Sequence, residues 1–211
     1  MLRVAVLVSG RGSNLQALID AVAAKELAVD IVVVGSNKVA AEGLRRAEAA
    51  GIATFALDPA GYADRAGYDR EFFERLGDYA PDLVVLAGFM RVIDPAALAP
   101  WIGRVVNIHP SLLPKYAGLK THARALAAGD ARHGASVHYV TADLDGGPVA
   151  AQVVLPVQPD DTPDTLATRL LPLEHRLLRQ CVAWIAAGKV ALAGERVHVD
   201  GVAQDAPPLV V

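Results

Sequence analysis

Cysteine is almost absent from this 211-residue sequence, which contains only Cys181. A single cysteine excludes an intramolecular disulfide framework and any cysteine-rich zinc or iron–sulfur site. The sequence also lacks an apolar run close to the roughly 20 residues that cross a bilayer. Its first residues enter a predicted strand, without the charged start and cleavage site of a signal peptide. These absences predict a cytoplasmic protein with no membrane partner.

Positive charge is not in excess either. Lys and Arg number 20 against 23 Asp and Glu, which gives a formal net charge of −3. A general nucleic-acid binder needs a concentrated basic surface, so nucleic acid is not a predicted partner. Apolar residues make up 53% of the chain and charged residues 20%, a composition that can bury a large core and excludes disorder.

The first hundred residues alternate apolar runs with helical patterns. Leu2–Val8 (LRVAVLV) is an apolar run of the kind that forms a strand buried on both faces. Strands of this kind that alternate with helices predict a parallel sheet covered by helices on both faces. The predicted strands are 2–8, 30–36, 52–57 and 83–87. The first predicted helix has Leu15, Leu18, Ile19 and Val22 on one face, and the next two are 40–50 and 68–79.

The second half contains different elements. We predict strands at 104–108, 135–140 and 149–157, an ordered loop at 110–121 and a small hairpin at 190–199. A long helix begins at Thr162-Pro163-Asp164, and Pro172 is expected to kink it. The predicted fold is α/β, with a Rossmann-like parallel sheet that continues into a mixed sheet and a long C-terminal helix. We expect one domain, 1–211, with lobes 1–100 and 101–211.

The turn after the first strand, Ser9–Asn14, is a candidate phosphate site. Its two glycines allow a tight turn, and the amides of the following helix N-terminus favour an anion. A dinucleotide fingerprint needs a third glycine where Leu15 stands, so that motif is absent. The alternative, which the pattern leaves equally open, is a plain strand-to-helix turn capped by Ser13.

Asn107 and His109 form a second candidate, at the carboxyl end of a predicted strand. Residues two apart in a strand project from the same face. An amide and a protonated imidazole side by side could bind a reacting carbonyl and stabilise its oxyanion. The alternative is a core histidine that bonds a backbone carbonyl.

Asp145 lies in the glycine-rich turn 143–147 and is the third candidate. Its carboxylate could bond a histidine or help to remove a proton from an attacking amine. The alternative is a turn aspartate that bonds its own backbone. His122, His133 and His138 lack the spacing of a zinc-protease helix, so no metal is predicted. On pattern alone, Glu174 and His175 are predicted to be surface residues.

Five segments carry a resemblance to a known family. They are VLVSGRGSNLQALIDA (6–21), PDLVVLAGFMRVI (81–93), NIHPSLLPKYAGL (107–119), HGASVHYVTADLDGGPV (133–149) and Glu174-His175. With them the sequence resembles the phosphoribosylglycinamide formyltransferases, folate-dependent enzymes of purine synthesis, over nearly its whole length. The Asn-x-His-Pro and Asp-Gly-Gly-Pro motifs indicate the reaction class, and the opening Gly-Ser-Asn narrows the acceptor to glycinamide ribonucleotide.

The resemblance implies a role for each matching residue. Asn107, His109 and Asp145 would be catalytic. The ribonucleotide phosphate and glycinamide would be bound by Gly12, Ser13, Asn14 and Glu174. The folate would contact Arg65, Met90, Arg91, Val92, Ile93, Asn107, Val140 and Asp145. The sequence departs from the family at Lys120, where a histidine is commoner, and Pro172 interrupts the helix that presents Glu174.

The implied reaction transfers the formyl group of 10-formyltetrahydrofolate to the amine of N1-(5-phospho-D-ribosyl)glycinamide, on the route to IMP. The amine attacks directly through a tetrahedral intermediate, and no metal takes part. Alternatives are a formyltetrahydrofolate hydrolase, which typically has an additional N-terminal domain, and methionyl-tRNA formyltransferase, which usually has an extra C-terminal one. A non-catalytic nucleotide-binding sensor is a further alternative. The oligomeric state, monomer or homodimer, stays open.

Overall fold

The computed structural model describes residues 1–210. The chain divides into two compact units, Met1–Asn107 and a second unit that begins at Ile108. That the chain forms one domain stays a prediction.

The first unit alternates strands with helices. Most of its elements begin within one to three residues of their predicted starts, because apolar periodicity is a local property of the chain. They are β1 (Leu2–Val8), α1 (Ser13–Ala23), β2 (Val29–Ser36), α2 (Glu42–Ala49), β3 (Thr54–Ala56), α3 (Arg65–Gly77), β4 (Leu83–Leu86), α4 (Pro95–Leu98) and β5 (Val105–His109), with short 3₁₀ turns at Pro59–Gly61 and Ala99–Trp101. The last two residues of β5 belong to the second unit.

The strands of this unit form a parallel arrangement in the order β3-β2-β1-β4-β5. β1 therefore lies at the centre, and Val4–Val8 are fully buried. The chain runs outward to β3 on one side of β1 and from β4 to β5 on the other. At such a reversal the loops after the two central strands diverge, and ligands of α/β folds bind in the resulting crevice. The loops after β1 and β4 are thus the expected binding loops of this unit.

An aromatic cluster covers part of this sheet. Phe72 of α3 contacts Phe55 of β3 at 4.9 Å between ring centroids, and it contacts Phe89 after β4 at 5.4 Å. Asp64 caps α3 because its carboxylate accepts a hydrogen bond from the Gly67 amide. The rings pack the helix against the segment after β4, which carries predicted folate residues.

The second unit contains an antiparallel strand pair, a long helix and a small sheet. Its elements are α5 (Thr121–Ala127), β6 (Arg132–Tyr139), β7 (Val149–Pro156), α6 (Pro163–Ala186), β8 (Val190–Ala193), β9 (Arg196–Val199) and β10 (Val202–Ala203). β6 pairs with β7 in antiparallel fashion, and the last three strands form an antiparallel sheet in the order β10-β9-β8.

The long helix α6 begins as predicted. Thr162 and Thr165 form a reciprocal capping box, and Pro163 occupies the first turn. The helix continues through Pro172 as a single 24-residue element. Its buried face includes Leu178 and Val182, whereas Leu173 and Trp184 are partly exposed.

The predicted fold class is confirmed: parallel strands with intervening helices are followed by antiparallel strands and a long helix near the C-terminus. Two helices were missed, the four-residue α4 and the helix α5. α5 is a seven-residue helix in which only Thr121 and Ala125 are buried, so it has too short an apolar stripe to stand out in the sequence. Among the described residues, no helix is both long and apolar enough to cross a membrane.

Candidate functional site

The turn after β1 adopts the conformation that its glycines permit. Gly12 has φ of +70°, in the left-handed region, and is the N-cap residue of α1. Ser13 is the first helical residue, so the alternative of a turn capped by Ser13 is wrong. Within the described chain, no side chain caps this helix N-terminus. Its first amides therefore face a position where a phosphate could bind.

Ser9 joins this turn to the loop after β4. Its hydroxyl accepts a hydrogen bond from the Met90 amide at 2.7 Å and donates one to Asn37 Oδ1 at 2.5 Å. Its own amide donates to the Gly88 carbonyl at 3.0 Å. Because Ser9 and Asn37 are both buried, these bonds fix the start of the predicted phosphate turn next to the start of the predicted folate segment.

The segment Met90–Ile93 exposes two apolar side chains and packs its arginine, Arg91, against α3. Met90 is 69% exposed and Val92 46%, whereas Ile93 is buried. The Arg91 guanidinium lies 4.2 Å above the Tyr68 ring, and its Nε is 3.7 Å from Asp69 Oδ1. This side chain anchors the segment on α3, so contacts with a folate here would come from the backbone and the exposed apolar groups.

Asp69 and Asp94 complete that anchor. Asp69 is buried, which raises the pKa of its carboxyl, while a hydrogen bond from the Asp94 amide and the nearby Arg91 and Arg65 act in the opposite direction. Arg65 is half-exposed, with its Nη2 3.9 Å from Asp94 Oδ2. The structure thus brings Arg65, Arg91 and the 90–94 segment together within the first unit.

His109, at the end of β5, presents both ring nitrogens to oxygen atoms. Nε2 is 2.9 Å from the Tyr116 carbonyl, and Nδ1 is 3.5 Å from Asp145 Oδ2. Carbonyl and carboxylate oxygens accept hydrogen bonds, so the imidazolium is the form that satisfies both nitrogens as donors. The alternative of a histidine bonded to a backbone carbonyl is confirmed for Nε2, and the catalytic role of the pair stays a prediction.

Asp145 lies between two histidines. Its Oδ2 accepts a hydrogen bond from the Gly118 amide at 2.8 Å, and its Oδ1 is 3.6 Å from His138 Nε2. Burial alone would raise the pKa of Asp145, but the interactions with His138, Gly118 and His109 lower it below its ordinary value. The carboxylate is therefore ionised at neutral pH. It bonds beyond its own turn, so the alternative of a purely local turn aspartate is wrong.

The glycine-rich turn places this carboxylate. Asp145 itself has φ of +50°, an uncommon conformation that Asp tolerates better than bulky residues. A Cβ on Gly147 would lie only 1.9 Å from the Tyr139 carbonyl oxygen, so the backbone can approach β6 here only because position 147 is glycine. The same carbonyl contacts His138 Nδ1 at 3.0 Å.

Buried polar side chains of β6 and β7 fix the loop that faces His109. Ser136 Oγ donates to the Ser111 carbonyl at 2.7 Å and accepts from the Leu113 amide. Gln152 Nε2 donates to the Leu113 carbonyl and to Ser136 Oγ. These bonds give the loop its order, as predicted, and with it the position of the Tyr116 carbonyl.

The other predicted site residues are partly buried. Asn107 lies on β5 two residues before His109, and its side chain projects from the same strand face. Val140 directly follows β6, and Glu174 lies on α6. Glu174 is half-buried, which corrects the pattern-based prediction of a surface residue.

Comparisons with known proteins identify the family of this chain. The Formyl transferase family matches residues 2–182. Phosphoribosylglycinamide formyltransferase of Escherichia coli (strain K12) is 46% identical over 207 residues, which cover 98% of this chain and 97% of that protein. The chain belongs to the phosphoribosylglycinamide formyltransferase family.

Solved structures and fused proteins show the same relationship. The phosphoribosylglycinamide formyltransferase of Coxiella burnetii has a TM-score of 0.94 and 44% identity, and 99% of each chain is covered. The trifunctional purine biosynthetic protein adenosine-3 of Bos taurus is 42% identical over 203 residues, which are 96% of this chain and 20% of that protein.

Sequence reasoning did not predict the contacts of three further histidines, His122, His133 and His138. His138 was considered only as a metal ligand, although its position at the end of a strand, before an acidic turn, could have suggested a partner for Asp145. His122 Nδ1 lies 3.0 Å from His133 Nε2. Burial lowers the pKa of both, that of His133 to about 4, so this pair is uncharged at neutral pH.

His175, next to Glu174, is also partly buried, which corrects the pattern-based prediction of a surface residue. Its buried Nε2 has no hydrogen-bond partner among residues 1–210. Within the same residues, no group of three or more His, Cys, Asp or Glu side chains could hold a metal ion.

Proposed function

We propose that this protein transfers the formyl group of 10-formyltetrahydrofolate to the primary amine of N1-(5-phospho-D-ribosyl)glycinamide, giving formylglycinamide ribonucleotide for purine synthesis. The observation that carries the proposal is the buried His109–Asp145 pair, with Asn107 on the same strand face as the histidine. Membership of the formyltransferase family supplies the substrates that this pair would act on.

The reaction requires stabilisation of negative charge on the formyl oxygen. When the amine attacks the formyl carbon, a C–N bond forms and the carbonyl oxygen gains charge. The Asn107 amide donates a hydrogen bond to that oxygen, and the His109 imidazolium stabilises it electrostatically. Asp145 keeps His109 oriented and charged. In the collapse of the tetrahedral species the bond to the folate nitrogen breaks.

The proton balance gives Asp145 a second role. The attacking amine loses one proton, and the departing folate nitrogen gains one. An ionised Asp145, whose pKa is lowered, accepts the amine proton through a water molecule and needs no metal to do so. This direct transfer requires no nucleophilic side chain of the protein. Cys181 is fully buried, and burial raises the pKa of its thiol to about 12.

Three sets of binding residues would anchor the two substrates. The uncapped first turn of α1, with Gly12, Ser13 and Asn14, binds the 5′-phosphate. Glu174 binds the glycinamide end through its charge. The folate is bound by Arg65, by the segment 90–93 and by Val140 with the turn that contains Asp145. Fixing both substrates lowers the entropic part of the barrier by several kcal/mol.

The deciding experiment measures formyl transfer by the purified protein. It is supplied with 10-formyltetrahydrofolate, with and without the ribonucleotide, and both formylated ribonucleotide and free formate are quantified. Acceptor-dependent product is expected. Formate release regardless of acceptor would indicate a hydrolase instead, and binding without any product would indicate a non-catalytic sensor.

We further propose that the protein acts in the cytoplasm, where its relatives' pathway would require it, and that its partners are these two small molecules and not nucleic acid. Sedimentation of the purified protein would distinguish monomer from homodimer, and subcellular fractionation would test the location.

A further inference from the structure

A single guanidinium, that of Arg46 on α2, connects three segments around the phosphate turn. Its Nε donates to the Arg11 carbonyl at 2.7 Å, Nη1 to Gln16 Oε1 of α1 at 3.2 Å, and Nη2 to Glu42 Oε1 at 2.5 Å. Such a planar fork of donors can satisfy three acceptors at once, which a lysine ammonium in the same place could not do with this geometry.

The first turn of α2 also contacts the phosphate turn through its backbone. The Gly43 amide donates to the Gly10 carbonyl at 3.0 Å. A Cβ on Gly12 would lie 2.7 Å from Gly43 Cα, and a Cβ on Gly43 would lie 2.9 Å from Val8 Cγ2. Two glycines thus allow the start of α2 to pack directly on the turn.

These contacts determine which way two peptide groups face. The carbonyls of Gly10 and Arg11 are both bonded to α2. In a trans peptide the N–H points opposite to the C=O. The amides of Arg11 and Gly12 therefore point away from α2, and neither carbonyl oxygen is available to turn toward an anion, which it would repel.

We propose that Arg46, assisted by Gly43, is a positioning residue for the ribonucleotide phosphate: it holds the turn Gly10–Gly12 in the conformation that presents amides and not carbonyls. The inference rests on the proposed function, in which Gly12, Ser13 and Asn14 bind that phosphate. Arg46 acts through the turn and not by charge alone, because its donors are directed to the Arg11 carbonyl, Gln16 and Glu42.

The test compares Arg46→Met and Arg46→Lys with Arg45→Met, which removes the charge of the exposed neighbouring arginine. For both Arg46 variants we expect the Kd of the ribonucleotide, measured by calorimetry without folate, to rise roughly tenfold, equivalent to about 1.4 kcal/mol. The KM for 10-formyltetrahydrofolate and kcat should stay within about twofold of the parent values, given that only phosphate binding changes. Arg45→Met should bind like the parent.

An acceptor without its 5′-phosphate distinguishes positioning from general damage. With that acceptor, the kcat/KM of each Arg46 variant should equal that of the parent protein, since the turn then has no phosphate to bind. A loss of equal size with both acceptors would overturn the inference in favour of a structural role. Full rescue by Arg46→Lys would overturn it in favour of a charge effect, and unchanged ribonucleotide binding would overturn it outright.

Failure of the proposed function looks different. It would appear in the parent protein itself, as absence of ribonucleotide binding and of formyl transfer, and it would end the positioning proposal with it. If Arg46→Met does not fold, Arg46→Lys, which keeps the aliphatic stem and the charge, supplies the same comparison.

Discussion

Asp145 shows how much of this site depends on a single carboxylate. It lies between His109 and His138, accepts a hydrogen bond from Gly118, and has a lowered pKa despite its burial. The proposed mechanism uses this charge to hold His109 in place beside the oxyanion that forms. Removing the charge while keeping the shape therefore separates catalysis from binding.

Asp145→Asn is expected to retain both substrates and to lose most turnover. The Asn side chain can still accept from the Gly118 amide, so each Kd should change little. The loss of charge should lower kcat by at least about 100-fold, the size of other losses of oxyanion stabilisation. Steady-state kinetics with calorimetry test this, and Asp143→Asn, an exposed acid of the same turn, is the control. A fully active Asp145→Asn variant would remove this residue from the mechanism.

Asn107→Ala tests the proposed oxyanion donor. Because the amide would act only as charge develops, we expect kcat to fall by about 10²–10³ with KM values nearly unchanged. Unchanged thermal unfolding would show that β5 is intact. A rise in KM without a fall in kcat would instead make Asn107 a binding residue.

At the scale of elements, the first turn of α2 restricts the conformation of the proposed phosphate-binding turn. Gly12 combines a left-handed φ with a close approach to Gly43 Cα. Helix and strand periodicity predicted both α1 and α2, but their contact joins residues about 30 positions apart, and no local pattern encodes it. Because periodicity is a local property of the chain, the approximate positions of the elements were predictable, whereas the packing between them was not.

Gly12→Ala should lower the free energy of unfolding more than the same substitution at a glycine that has a positive φ but no close neighbour. Gly51 provides that comparison, since it has φ of +72° and no heavy atom within 4 Å of its would-be Cβ. We expect Gly51→Ala to lower the unfolding free energy by about 1–2 kcal/mol and Gly12→Ala to exceed it. Urea unfolding measures both. Equal losses would mean that the turn moves away from α2 at little cost.

At the scale of the whole molecule, buried histidines connect folding stability to pH. His122 and His133 contact one another in the second unit, and burial lowers the pKa of both. The unfolded chain binds protons to these groups at pH values where the native protein does not. Stability is therefore complete above the unfolded pKa of about 6.5 and falls as the pH decreases toward 4.

The predicted slope can be measured. His133 alone should lower the unfolding free energy by up to about 1.4 kcal/mol per pH unit between pH 6 and pH 4. The variant His133→Gln, which cannot titrate, should show a shallower decline when urea unfolding is repeated across this range. Parallel declines for the two proteins would show that other groups, such as carboxylates, dominate acid unfolding.

The sequence by itself determined the alternating strands and helices, the capped start of α6, and the motif residues Asn107, His109 and Asp145. Each of these depends on neighbours within a few positions. Only the tertiary structure decided that His138 faces Asp145, that Glu174 is half-buried and that Gly43 contacts Gly12. Such contacts join residues distant in the chain, and they form only when buried surfaces pack to exclude water and satisfy polar groups, which no local periodicity records.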